Sequence, residues 1–184
     1  MVLTPTTKRD LGFQAPDFNL LNPAKSSMQS LDLLKSSTAT VIIFMCNHCP
    51  YVVHILDSLV SVSNDYMPKG IAFIGINSND VSAYPDDSPE KMVDLINNYN
   101  LPFPYLFDET QKVAKAYHAA CTPDLSIFDE SMHCVYRGQF DDSRPGNSIP
   151  ASGKDISMVL DTMLEGKKLN MIQKPSIGCN IKWK

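Results

Sequence analysis

The chain has 184 residues, 43% of them hydrophobic and 20% charged, and carries a formal net charge of −4 at pH 7. This is ordinary for a globular protein, and a chain of this length buries enough apolar surface to fold without disulfide staples. The acidic balance argues against a nucleic-acid partner, because phosphate neutralisation needs clustered lysine and arginine.

Residues 1–16 read as a loose polar leader of a single domain covering 1–184. Met1 to Leu21 has no apolar segment of the secretory type, so no signal peptide is expected. Phe18 to Leu21 and Leu31 to Leu34 form small elements around an Asn22-Pro23 turn. Thr40 to Met45 is a continuous β-branched and apolar run, the pattern of a strand buried on both faces. It is also the longest strongly apolar run, too short to span a membrane. Val52, Val53, Leu56, Leu59 and Val60 then recur at helical spacing, which predicts a helix over 50–66, stopped by Lys69-Gly70. Ile71 to Ile76 is a second buried strand, completing a β-α-β unit.

Asn77 to Asp87 is polar and reads as an exposed loop. Ser88-Pro89-Glu90 is a helix start: a capping side chain, a pre-set φ and an acid near the positive helix end. Met92, Leu95, Ile96 and Tyr99 give that helix an apolar face. Pro102 and Pro104 end it ahead of a short strand at Tyr105 to Phe107. A second short helix follows at Gln111 to His118, capped by Asp108 or Thr110. Leu125 to Phe128 and Val135 to Phe140 read as a hairpin. Asp141 to Gly153 is a long polar loop. Ile156, Val159, Leu160, Met163 and Leu164 form a helical stripe ended by Gly166. The tail, residues 167–184, has no clear period and carries Cys179 and the single tryptophan, Trp183.

The five cysteines, Cys46, Cys49, Cys121, Cys134 and Cys179, cannot all pair within one chain. Without an export signal they read as reactive or buried thiols of a cytoplasmic protein. Cys46-Asn47-His48-Cys49 is the strong signal, a dithiol between a buried strand and a helix. Orphan N–H groups and the helix dipole favour a thiolate at Cys46, and His48 adds positive charge when protonated. Lowering a thiol pKa from ~8.5 to ~7 raises the thiolate population at pH 7 about 16-fold. Nucleophilicity falls only about 5-fold over the same shift, so the population term wins. Cys46 is therefore the attacking thiol and Cys49 the resolving one. Pro50 fits awkwardly, since it disfavours helical geometry at Cys49 and lacks an N–H. Either the first turn is irregular or the regular helix begins at Pro50. A structural zinc site is the competing reading of the motif, but zinc wants four ligands and there is no second close cysteine pair.

Thr122-Pro123 precedes a strand downstream of the dithiol. Only about 5–6% of X-Pro bonds in folded proteins are cis, so position alone favours an ordinary trans bond. With Val41 to Met45, the dithiol, the following helix and the hairpin, however, it makes the chain resemble the thioredoxin-like superfamily. The resemblance implies an α/β fold with a mixed central sheet flanked by helices. It also implies a cis Thr122-Pro123 bond facing the dithiol and orienting a substrate chain. The Asn47-His48 dipeptide is more similar to that of protein disulfide isomerase than to the glycine–proline pair of thioredoxin. The implied potential is more oxidising than that of thioredoxin. CNHCPYV at Cys46 to Val52, ACTPD at Ala120 to Asp124, RGQFDDSRPGN at Arg137 to Asn147 and PSIGCNIK at Pro175 to Lys182 narrow the match. They are similar to bacterial thioredoxin-family and peroxiredoxin-like (AhpC/TSA-type) proteins.

The implied activity is thiol–disulfide exchange on protein or small-molecule disulfides, in a redox-homeostasis or antioxidant role. It needs no bound cofactor or metal, because the thiols carry the electrons, but it does need an external thiol reductant or reductase. Neither a nucleic acid nor a membrane is expected as a partner. A thiol peroxidase is the first alternative. Its motif resembles Pro-x-x-x-Thr-x-x-Cys, but here Ala39 and Ile43 stand at the proline and threonine positions. Arg137 and Arg144 read as solvated surface residues rather than peroxide-site cations. A non-enzymatic metal-binding module, held through Cys46 and Cys49, is the second alternative. Cys121 and Cys179 are candidate extra redox thiols, while Cys134 reads as filler. His54, His118 and His133 read as ordinary helix or turn residues, and Asp141, Asp142 and Arg144 as a loop salt-bridge cluster.

Overall fold

The computed structural model describes residues 3–184; Met1 and Val2 of the expected leader lie outside the described residues. A seven-stranded mixed sheet forms its centre. The two apolar runs become β4 (Ala39–Phe44) and β5 (Ile71–Asn77), which pair in parallel. Strand β6 (Tyr105–Phe107) adds in parallel beyond β5. On the other side β4 pairs antiparallel with β8 (Asp124–Asp129), which forms the expected hairpin with β9 (Cys134–Gly138). The N-terminal hairpin β2 (Asn19–Asn22) and β3 (Ser27–Ser30) completes the far edge through β6.

Strand alternation sends side chains to opposite faces, so every residue of β4 is buried. Val41, Ile43 and Met45 face one core, with Val52, Leu56 and Leu59 of α2 (Pro50–Tyr66) and Ile156, Val159 and Leu160 of α5 (Lys154–Leu164). Met92 and Leu95 of α3 (Pro89–Tyr99), capped by Ser88 as expected, pack into the same core. Ile42, Phe44, Ile74 and Ile76 face the other core, beneath Val113, Ala114 and Tyr117 and the N-terminal Phe18, Leu20 and Leu31. Helices thus flank a mixed sheet on both faces, the α/β architecture anticipated above. A four-residue turn of helix, α1 (Leu31–Leu34), follows β3.

Three local expectations need correction. The leader is not loose throughout: β1 (Leu3–Pro5) pairs antiparallel with a strand in the tail, β10 (Ile177–Asn180). Strand β10 pairs in turn with β7 (Cys121–Thr122), giving a second, three-stranded sheet. The middle of the 77–87 segment, residues 82–86, is exposed as expected, but Asn77, Asn79 and Asp87 toward its ends are buried and bonded to one another, and buried Ser78 donates to Asp108. Helix α4 (Lys112–Ala116) is capped by neither Thr110 nor Asp108 in the usual way. Gln111 occupies the cap position at φ 61°, and the Asp108 carboxylate accepts the Ala114 N–H at 2.9 Å from below.

Candidate functional site

The dithiol sits where β4 ends and α2 begins. The regular helix starts at Pro50, so Cys49 is its N-cap residue and Cys46 lies a turn ahead of it. Of the two openings left by the sequence, this is the second, and it moves the electrostatics. Cys49, not Cys46, occupies the end of the helix, where free N–H groups converge. Both residues are buried, with Cys46 1% and Cys49 0% exposed.

Cys46 and Cys49 move each other's acidity in opposite directions. Hydrogen bonding from Cys46 pulls the Cys49 thiol down to about 5, with further help from Cys179, Thr122 and the Val52 N–H, against the opposing effect of burial. Cys46 moves well up, first through that same bond, then through burial and the nearby Asp87 charge. The Thr122 carbonyl, 3.2 Å from Cys49 Sγ, works against an anion there, but the donors outweigh it. The lowered thiol is Cys49, first through hydrogen bonding from Cys46, whereas the sequence pattern pointed to Cys46.

Thr122-Pro123 is a cis bond, as the resemblance implied. Thr122 Oγ1 lies 3.5 Å from Cys46 Sγ. Thr122 is itself buried and backbone-paired with Cys179 in β10. Cys179 Sγ is 2.6 Å from Cys49 Sγ, so the structure brings this extra thiol into the site. It does not do so for Cys121. Alternation along β7 turns Cys121 to the side opposite Thr122, its Sγ donates to the Pro123 carbonyl at 3.6 Å, and burial pushes its acidity far down.

Asp87 organises the other side of the site, and the sequence reading missed it. Its carboxylate is fully buried. One oxygen accepts the Asn47 N–H at 2.8 Å; the other accepts Asn79 Nδ2 at 2.7 Å and His48 Nδ1 at 2.8 Å. Asn47 is further held by Tyr105, whose hydroxyl donates to its side-chain oxygen at 3.1 Å and to the Met45 carbonyl at 3.3 Å. Half-exposed His48 stacks on Tyr84, ring centroids 5.9 Å apart and 3° from parallel. No motif marks Asp87, Asn79 or Tyr105; the polar run 77–87 was the only signal. Cys46, His48 and Asp87 also bring ligand-type atoms within 4.8 Å of one another. A metal would compete there for carboxylate oxygens already taken by three donors.

Several other expectations shift. Arg137 is buried rather than solvated. It donates to the carbonyls of Tyr117 (3.0 Å) and His118 (2.8 Å), and lies 3.7 Å from Asp124. The loop after β9 is not an ion cluster around Arg144, which bonds the Asp141 and Ser143 carbonyls. Asp142 pairs instead with Lys174 at 2.6 Å, and Asp141 accepts the Ser152 and Gly153 N–H groups at the start of α5. His54 reaches Ser143 of that loop, and Cys134 is core. No helix among the described residues is long and apolar enough to cross a membrane.

The model of the AhpC/TSA family matches residues 11–137, well over half of the chain. The chain belongs to the AhpC/TSA family. Two solved structures lie close to this AhpC/TSA protein along its whole length. An uncharacterized conserved protein from Geobacillus kaustophilus is 55% identical with a TM-score of 0.98, over 100% of this chain and 97% of that one. A hypothetical protein from Sinorhizobium meliloti 1021 is 43% identical with a TM-score of 0.95, over 98% of each chain. At 15% identity, the thioredoxin domain of a thiol-disulfide oxidoreductase from Bacteroides vulgatus still superimposes with a TM-score of 0.65, over 83% of this chain and 99% of that one. That likeness gives this AhpC/TSA protein a thioredoxin-like fold. No curated protein matches the chain.

Proposed function

We propose that this protein is a thiol–disulfide oxidoreductase that exchanges disulfides through Cys46 and Cys49. The observation that carries this reading is that both thiols meet the same Thr122 at the start of α2, Cys46 Sγ 3.5 Å from its hydroxyl oxygen and Cys49 Sγ 3.2 Å from its carbonyl oxygen. Cys46 takes the attacking role. It neighbours half-exposed His48, whereas Cys49 is covered by Cys179 and the Thr122 carbonyl. As Cys46 attacks a substrate disulfide, its proton passes to the Cys49 thiolate beside it, and the first substrate thiol leaves as a thiolate. Cys49 then attacks Cys46 of the mixed disulfide. The second substrate thiol departs with the Cys49 proton, and the protein is left with a Cys46–Cys49 disulfide that an external thiol reductant resets. His48 tunes the potential through its bond to Asp87, Asn47 fixes the turn, and Thr122-Pro123 orients the substrate backbone. We place the reaction in the cytoplasm, in keeping with the cysteine usage.

Exchange is favoured over peroxide reduction by what stands ahead of Cys46. Ala39 and Ile43 are fully buried core residues of β4 and supply no polar group to hold a peroxide. The test is trapping with a small aromatic disulfide. Cys49→Ser should release one equivalent of aromatic thiol and retain a stable adduct on Cys46, while Cys46→Ser gives no adduct at position 46 and far slower release. An adduct found only on Cys49 would reverse the roles. Rapid, catalytic consumption of hydrogen peroxide with no disulfide exchange would replace this reading by the peroxidase one.

A further inference from the structure

The chain's own tail is built into the dithiol site. Strand β10 lies antiparallel on β7, pairing Cys179 with Thr122 and Asn180 with Cys121. The approach is so close that a Cβ on Gly178 would fall within the Thr122 carbonyl oxygen and 2.7 Å from its carbon. Only glycine leaves room for the strand at that point. Beyond it the tail is pinned from several sides. The Ile181 N–H donates to the Ala120 carbonyl at 3.1 Å, the Lys182 N–H to Asn79 Oδ1 at 2.9 Å, and the Asp80 N–H to the Lys182 carbonyl at 2.8 Å. Asn79 is the residue that also holds Asp87, and Lys182 Nζ lies over Tyr84, the ring on which His48 stacks.

This docking delivers Cys179 Sγ to 2.6 Å from Cys49 Sγ. A disulfide needs its sulfurs at about 2.03–2.05 Å, so very little movement separates this contact from a bond. Thr122, the residue that Cys179 pairs with, touches both dithiol sulfurs, its hydroxyl 3.5 Å from Cys46 Sγ and its carbonyl 3.2 Å from Cys49 Sγ.

We propose that Cys179 is a third exchanging thiol, partnered with Cys49. This rests on the dithiol reading above. Once a Cys46–Cys49 disulfide has formed, the Cys179 thiolate attacks the Cys49 sulfur. The Cys49–Cys179 bond forms as the Cys46–Cys49 bond breaks, and Cys46 leaves as a thiolate that takes up the proton shed by Cys179. No oxidant is consumed: the disulfide moves inward under the tail, and Cys46 is returned to the reduced state. Gly178 acts as a positioning residue for this step by admitting the strand.

The experiment is disulfide mapping of the full chain after equilibration with glutathione and glutathione disulfide, acid quenching and alkylation. A Cys46–Cys49 bond closes within one peptide, whereas a Cys49–Cys179 bond links two peptides and leaves Cys46 alkylated. The linked peptide is expected in the wild type and in Cys46→Ser. It should fall at least tenfold in Gly178→Ala, whose Cβ would push the strand away from Thr122. If Gly178→Ala does not fold, Cys179→Ser serves instead. Losing the Cys49–Cys179 state, it should need several-fold more glutathione disulfide than the wild type to reach half oxidation. A wild type oxidised only at Cys46–Cys49, with Cys179 alkylated throughout and the same midpoint as Cys179→Ser, overturns the proposal and leaves the dithiol reading standing. Absence of both disulfides overturns the dithiol reading as well.

Discussion

Replacing Asp87 by asparagine separates the structural and electrostatic work of one buried carboxylate. The two side chains have nearly the same shape, so no cavity opens. The carboxylate accepts Asn47 N–H on one oxygen and Asn79 Nδ2 and His48 Nδ1 on the other. An amide can accept on one side only. Turning its nitrogen toward Asn47 strands a single buried donor, whereas the opposite orientation strands two, so the first is adopted. One unsatisfied buried donor costs about 1–3 kcal/mol. At about 2–4 °C per kcal/mol for a protein of this size, the reduced variant should melt roughly 2–12 °C lower by circular dichroism. The second effect is on the dithiol. The Asp87 charge raises the Cys46 thiol, so its loss eases ionisation of Cys46 and stabilises the reduced form. The potential in glutathione buffers should then become more oxidising. An unchanged melting temperature with an unchanged or more reducing potential would refute the placement of Asp87 against Asn47 and Cys46.

Ultraviolet titration at 240 nm should show one thiolate of the reduced protein appearing with a midpoint near 5, absent in Cys49→Ser and shifted upward in Cys46→Ser. Because Cys49 is depressed in the folded state, the stability it confers is complete above the ordinary thiol range and is lost as pH falls through about 5. The wild type should therefore lose stability relative to Cys49→Ser between pH 8 and pH 5. Tyr105→Phe removes the hydroxyl holding the Met45 carbonyl and Asn47. It should cost about 0.5–1.5 kcal/mol in urea unfolding and slow exchange without abolishing it. Gly153 has φ +66°, and a Cβ there would stand 2.8 Å from Phe140 and Val62. Gly153→Ala should cost about 2–4 kcal/mol, read as a lower urea midpoint at constant slope.

What could be read from the sequence was whatever a hydrophobic period or a local rule encodes. Strands β4 and β5 are uninterrupted apolar runs, and α2 spans 50–66 because its apolar residues repeat at helical spacing. Ser88-Pro89 marks the start of α3 through capping chemistry that needs no partner elsewhere. The start of α2 was ambiguous, because proline at its first position is compatible with two local geometries, and the choice decides which sulfur meets the helix N–H groups. The tail was illegible for a different reason. Ile177–Asn180 is a strand through backbone pairing to β1 and β7, and Gly178 matters by lacking a side chain; neither leaves a pattern in one sequence. The 77–87 segment is exposed only at 82–86, and its ends misled because polarity ordinarily means exposure. Here the polar groups bury one another around Asp87, a satisfaction that depends on Asn47 and His48 arriving from forty residues away.

We propose that Cys49 belongs to a reversible two-electron couple with a neighbouring thiol. A redox titration of the full chain across a glutathione series, read by alkylation mass, tests it most directly. A single two-electron transition is expected, more oxidising than the roughly −270 mV of thioredoxin, that disappears in Cys49→Ser. A transition of the same amplitude and midpoint in Cys49→Ser, or none in the wild type, would contradict it.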